Sequence, residues 1–134
     1  MNQRCLALAV FCILVLPVSG CSSGQQLVAI NVNPATVVFG SEDPSLNAQL
    51  TALGVYTHPP ATKDITTQVT WQASVAEVVA VSSSGVVSPT GTHCGVSSVT
   101  ATLKTSNPTG NIVQGSMSVT VDGPAVDNCP NAPL

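Results

Sequence analysis

The side chains in this 134-residue chain that could do chemistry are five cysteines, two histidines and six carboxylates. Their spacing does not gather them into a reactive constellation. A structural zinc site takes four ligands, commonly in C-x₂₋₄-C and H-x₃₋₅-H spacings, and only His58, His93, Cys94 and Cys129 are candidates for one. His93 reads instead as a solvated turn histidine. Glu42, Asp43 and Asp122 are placed to gather at one end of a β-fold, but a hard cation wants about six to eight oxygens and no D-x-D run exists. Serines are plentiful, yet there is no G-x-S-x-G elbow, and both histidines sit in turns flanked by Pro or Gly, away from any nucleophile, base and acid arrangement. The expectation is a protein without metal, cofactor or catalytic activity.

Charge is sparse: 7% Asp, Glu, Lys and Arg against 44% apolar residues. Arg4, Lys63 and Lys104 are the only basic side chains apart from histidine, too few and too scattered to displace counterions from a nucleic acid. Arg4 precedes an apolar run from Leu6 to Leu16, which is followed by the small residues Ser19 and Gly20 and then Cys21. As a helix that run spans roughly 17 Å, against roughly 30 Å of bilayer hydrocarbon, too short to remain as a membrane anchor. It reads as an export signal over residues 1–20. The four residues "VSGC", 18–21, resemble the lipobox of bacterial lipoproteins. The resemblance implies that Cys21 is lipidated and becomes the mature N-terminus, with residues 21–26 as a short tether. It also implies an address in the cell envelope, in the outer membrane if the host has one, because Ser22 rather than Asp follows the cysteine. Two or more acyl chains anchor a protein stably where one binds only marginally.

From Leu27 onward the apolar residues alternate with polar ones, as in half-buried antiparallel strands. Val28, Ile30 and Val32 form one such set, followed by Val37 and Phe39. Leu46, Ala48, Leu50 and Ala52 form another; then come Val69, Trp71 and Ala73; Val79 and Val81; Val99, Ala101 and Leu103; and Val113, Met117, Val119 and Val121. No stretch shows a helical stripe. The turns "SEDPS" (41–45), "THPPATKD" (57–64), "SSSG" (82–85) and "TSNPTGN" (105–111) carry Pro for a fixed φ, or Gly and Asn for a positive one. About seven short strands at this spacing predict an all-β, two-sheet sandwich over residues 27–122, followed by a Pro-containing tail, 123–134. Trp71 is expected to plug the core; Tyr56, beside the "HPP" turn, is the better candidate of the two for exposed contact, although edge packing is the expectation for it.

"VAINVNPATVVFG" (28–40), "LTA" (50–52), "VTW" (69–71), "VVAVSSSGVVS" (78–88) and "SSVTAT" (97–102) together resemble the bacterial immunoglobulin-like domain, group 2. The resemblance implies an immunoglobulin-like sandwich of the kind found on surface and envelope proteins as a spacer or binding module. The chain departs from that pattern in the long Pro-rich connection 57–68 and in "GTHCG" (91–95).

Cys5 and Cys12 belong to the signal, which leaves Cys94 and Cys129 in an oxidising compartment where pairing is the default. If the strands around Leu103 and Ile112 form a hairpin, Cys94 falls near Val121 and Asp122, within reach of a returning tail. A disulfide is therefore expected. Two functions fit: a lipid-anchored binding or adhesion module for a protein or glycan, or a structural accessory of the envelope with no soluble ligand. The immunoglobulin-like resemblance implies that the first strand starts at the end bearing loops 57–68 and 105–111, and because the tether is short that end is expected to face the lipid. The end with Glu42, Asp43 and Asp122 is then expected to point away and to offer the contact surface.

Overall fold

The protein is described here by a computed structural model covering residues 24–106 and 110–123. Within these residues the chain is all-β, with ten strands: β1 (Gln26–Asn33), β2 (Thr36–Phe39), β3 (Ala48–Gln49), β4 (Thr51–Thr57), β5 (Ala61–Asp64), β6 (Thr70–Ala73), β7 (Val79–Val81), β8 (Val86–Pro89), β9 (Gly95–Lys104) and β10 (Ile112–Val121). Hydrogen bonds join them into three sheets, ordered β1-β4-β5, β2-β10-β9-β6 and β3-β8-β7.

The first and third of these sheets are one layer. Only Leu50 separates β3 from β4, and its N–H donates to the Gly85 carbonyl at 2.8 Å, while the Ala52 carbonyl accepts from Ile65 N–H at 2.9 Å. Residues of one parity along a strand point their backbone groups to one edge. Leu50 and Ala52 share that parity, so β8 takes over the edge of β3 and β4 where β5 leaves it. The second sheet forms the opposing layer, and a single buried cluster draws Leu50, Ala52 and Val87 from one layer and Trp71, Val99 and Val119 from the other. The architecture is a β-sandwich with its core between the layers.

More strands are present than the seven or so expected, for identifiable reasons. Pro34 has no N–H to give a ladder; β1 pairs antiparallel with β4 before it, and β2 pairs parallel with β10 after it, so one apolar run serves both layers. β5 lies inside the segment read as a Pro-rich connection. It is a sheet edge with three of its four residues exposed, and therefore lacks the alternation that marks a half-buried strand.

The inward sets are largely as the alternation predicts, with Leu50, Ala52, Val69, Trp71, Val79, Val99, Ala101, Met117, Val119 and Val121 all buried. Val28 departs from it, at 52% exposed. A register shift between Leu27 and Ala29 places an extra residue in β1; such a bulge reverses which face a residue occupies, and Leu27 goes inward in place of Val28. Leu46 stays outside any strand and partly exposed.

The layers approach closely at Gly115. A Cβ built there would lie 2.1 Å from the Ile30 carbonyl oxygen, so the backbone of β1 lies directly on that of β10. Only glycine leaves room for that approach.

Candidate functional site

β9, ten residues long, runs most of the length of the sandwich, about 33 Å at roughly 3.3 Å per residue. The chain's sparse charges are divided between the two ends it connects.

At one end β1 begins, with Gln26 opposite Thr57 at the close of β4. Lys104 closes β9 at the same end. The strand ends of the two layers leave a cleft of about 270 Å³ lined by Gln25, Leu27, Tyr56 and Gln68 together with Leu103, Lys104, Thr105 and Ser106. Lys63 holds its ammonium 5.0 Å from the Tyr56 ring centroid, a cation–π arrangement, and donates a hydrogen bond to Gln25 Oε1. The Gln25 amide in turn donates to the Pro59 carbonyl at 3.0 Å. The start of β1 is thereby clasped to the β4–β5 turn, where His58 has a φ of 56°. Both lysines that follow Arg4 in the sequence stand here, and Tyr56 is a half-buried ring packed at the edge of the core, where it forms a wall of the cleft.

This end is supported from below by the segment after β5. Asp64 Oδ1 accepts the Thr66 N–H at 2.9 Å, and hydrogen bonding from the Thr66 side chain, then from its backbone, holds the Asp64 carboxyl below its usual value. Thr66 Oγ1 accepts the Ala52 N–H at 2.9 Å, and the Thr66 carbonyl accepts the Trp71 indole N–H at 3.0 Å. Trp71 is 9% exposed and occupies the core as its alternation predicts. Its one polar atom is thus satisfied, as a buried indole requires.

The opposite end carries carboxylates. A Cβ at Gly91 would lie 3.3 Å from Pro44 Cδ and 3.6 Å from the Glu42 carbonyl, so the loop after β8 meets the loop holding Glu42 and Asp43. Thr90 and Thr92 both donate from their hydroxyls to the Glu77 carbonyl, Thr92 at 3.1 Å. The Asp122 N–H donates to the Phe39 carbonyl at 2.8 Å. Glu42, Asp43, Glu77 and Asp122 therefore share this end. The Asp43 carboxylate accepts the Ser45 N–H at 2.8 Å, and that backbone hydrogen bond, with the Ser45 side chain second, holds it below its ordinary value. No group of three or more His, Cys, Asp or Glu residues among the described residues could hold a metal ion. His93 is exposed, with Nδ1 3.0 Å from the Thr92 hydroxyl.

Cys94 is buried at this end, immediately before the pair formed by Gly95 and Val121. That register puts Asp122 beside it, as the sequence predicts. Cys129 and Cys21 lie outside the described residues.

A second groove of about 280 Å³ crosses the outer face of β6, β9 and β10, and Gln72, Ser74, Thr100, Thr102 and Gln114 line it with amides and hydroxyls but no charge. Sequence reasoning found neither groove, because each is assembled from strands distant in sequence. The nearest signal for the first was Tyr56 beside its Pro-rich turn.

No protein-family model matches the chain, and no curated protein matches it.

Proposed function

We propose that this protein is a bacterial envelope lipoprotein, exported and then anchored through acylated Cys21, whose single immunoglobulin-like domain serves as a binding or adhesion module for a protein or glycan. The observation that carries the reading is "VSGC", separated by Pro17 alone from an eleven-residue apolar run and followed within five residues by the first strand of a β-sandwich. The immunoglobulin-like character is supported by a first apolar run that changes layers at Pro34, pairing with β4 before it and β10 after it. The proposed contact surface is the acidic end, with Glu42, Asp43 and Asp122, or the uncharged flank lined by Gln72 and Thr100. Neutral amides and hydroxyls suit a glycan, which offers hydroxyls of both donor and acceptor type.

A Cys94–Cys129 disulfide belongs to the same proposal. It is supported by export into an oxidising compartment, by the burial of Cys94, and by the six residues between Asp122 and Cys129 with which the tail can return.

Mass spectrometry of the N-terminal peptide from the native host tests the anchor. A chain beginning at Cys21 and carrying diacylglyceryl, with or without an N-acyl group, supports it; a chain bearing an unmodified Cys21 thiol overturns it.

A further inference from the structure

We infer that the cleft between the start of β1 and the end of β9 seats on the membrane itself, taking the phosphate-bearing headgroup of an anionic lipid through Lys104 and its neighbours, with Lys63 beside it. The inference rests on the lipid-anchored reading and specifies which end of the domain meets the lipid and by what chemistry.

Proximity is the first support. Gln25 forms part of the cleft wall and lies four residues after Cys21, so an acylated Cys21 is held within about 14 Å of the cleft at roughly 3.5 Å per residue. That is less than half the length of the sandwich, and the cleft cannot stand far from the surface to which the tether is fixed.

Charge is the second. Past residue 20 the chain has two lysines against six carboxylates, so the domain as a whole is repelled by an anionic surface. Glu42, Asp43, Glu77 and Asp122 stand at the far end of β9, several Debye lengths away at physiological salt. Asp64 is the described carboxylate nearest the lysines, and it lies down the sheet opposite Leu53 with its oxygen engaged by Thr66. A domain of net negative charge thus approaches anionic lipid favourably in one orientation, lysines first.

The lining is the third. Lys104 and Ser106 supply an ammonium and a hydroxyl, the donors a phosphate accepts, with the Thr105 hydroxyl already given to the Asn111 carbonyl at 3.0 Å, while Leu27, Leu103 and Tyr56 give the apolar wall that suits a glycerol backbone at the interface. Tyrosine and lysine are side chains that settle at membrane surfaces, with the apolar part inward and the polar tip in the headgroups.

The test uses the acylated chain reconstituted into vesicles of phosphatidylcholine alone, and of phosphatidylcholine with phosphatidylglycerol. Flotation establishes anchoring in both. A water-soluble amine-acylating reagent is then added, and modification of Lys63 and Lys104 is followed by peptide mass spectrometry. Both lysines are expected to react about fivefold more slowly on the anionic vesicles, the factor that one lysine near an anionic surface corresponds to, and to recover at high salt. Carbodiimide labelling of Glu42 and Asp43 is expected to be the same on both. Equal lysine rates on the two vesicle types, or slowing that salt does not reverse, overturn the headgroup contact while leaving the anchor intact. A chain that does not float overturns the anchor itself, and the inference falls with it.

Discussion

The two ends of this sandwich are built from the same strands and hold themselves together by different means. At the lysine end, long side chains do much of the joining: Lys63 spans Tyr56 and Gln25, and Gln25 reaches Pro59. At the distal end the backbone does it, with short hydroxyls fastening loops to the Glu77 carbonyl, the Asp122 N–H meeting the Phe39 carbonyl, and Gly91 pressed against Pro44. An end joined by long, exposed side chains can rearrange them against a surface, whereas an end joined through its backbone presents a fixed shape. The first suits a lipid headgroup layer and the second suits a partner with a defined surface.

The largest effect is expected at the distal end. With the proposed bridge closing a loop of about 35 residues, loss of the disulfide should cost roughly 4 kcal/mol in the chain-entropy account. Cys94→Ser should therefore lower the thermal midpoint by many degrees, and reductant should lower the wild-type midpoint to match. Reductant leaving the wild-type midpoint unchanged would remove the disulfide from the account of this end.

Next is Gly115→Ala, which strikes the lysine end through the seam that seats β1 on β10. The new Cβ meets the Ile30 carbonyl backbone to backbone, and about 3 kcal/mol is expected, the upper part of the range for overpacking. Hydrogen exchange should rise first in β1 and at the cleft, with the amides of Gly95 and Asp122 less affected. Uniform acceleration at both ends would mean that the ends are not independent.

Much of this arrangement was legible in the sequence, and the failures have physical causes. The inward residues of β9 and β10 were readable because both strands are long and one face of each is buried, so a period of two is enforced by the core. Trp71 was readable for the same reason. The hairpin register that places Cys94 near Asp122 followed from the turn at 105–111, where Thr105 N–H donates to the Asn111 carbonyl at 2.8 Å. Val28 was misplaced because a bulge changes parity without leaving a mark in the residue types. β5 was missed because "ATKD" buries nothing that a pattern could reveal. The cleft was invisible because Gln25, Gln68 and Lys104 come from three separate places in the chain, and each alone is an ordinary surface residue.

A smaller effect comes from pH and acts on both ends. The Asp43 carboxyl is held below its ordinary value by the Ser45 backbone and side chain, so its contribution is present above the unfolded carboxylate value, about 3.9, and is lost as pH falls through its lowered folded value. Asp64 behaves likewise through Thr66. Acidification from pH 7 should therefore leave the midpoint nearly flat until about pH 4 and then lower it. Asp43→Asn should flatten the acid limb slightly and change the exchange of Ser45 alone. A limb unaltered by Asp43→Asn and by Asp64→Asn together would show that these turns contribute nothing to the acid sensitivity of either end.

The central claim is that the domain stands on its lysine end with its acidic end outward, and membrane-distance measurement on the anchored protein tests it most directly. A fluorophore is attached through a non-cysteine handle at Ser41, beside Glu42, or at Thr62, beside Lys63, and quenched by a quencher confined to the lipid headgroups. The account predicts strong quenching at residue 62 and little at residue 41, about 30 Å being the span of the sandwich. Stronger quenching at residue 41 than at residue 62 would show the domain standing the other way, and would contradict both the lipid-facing cleft and the outward contact surface.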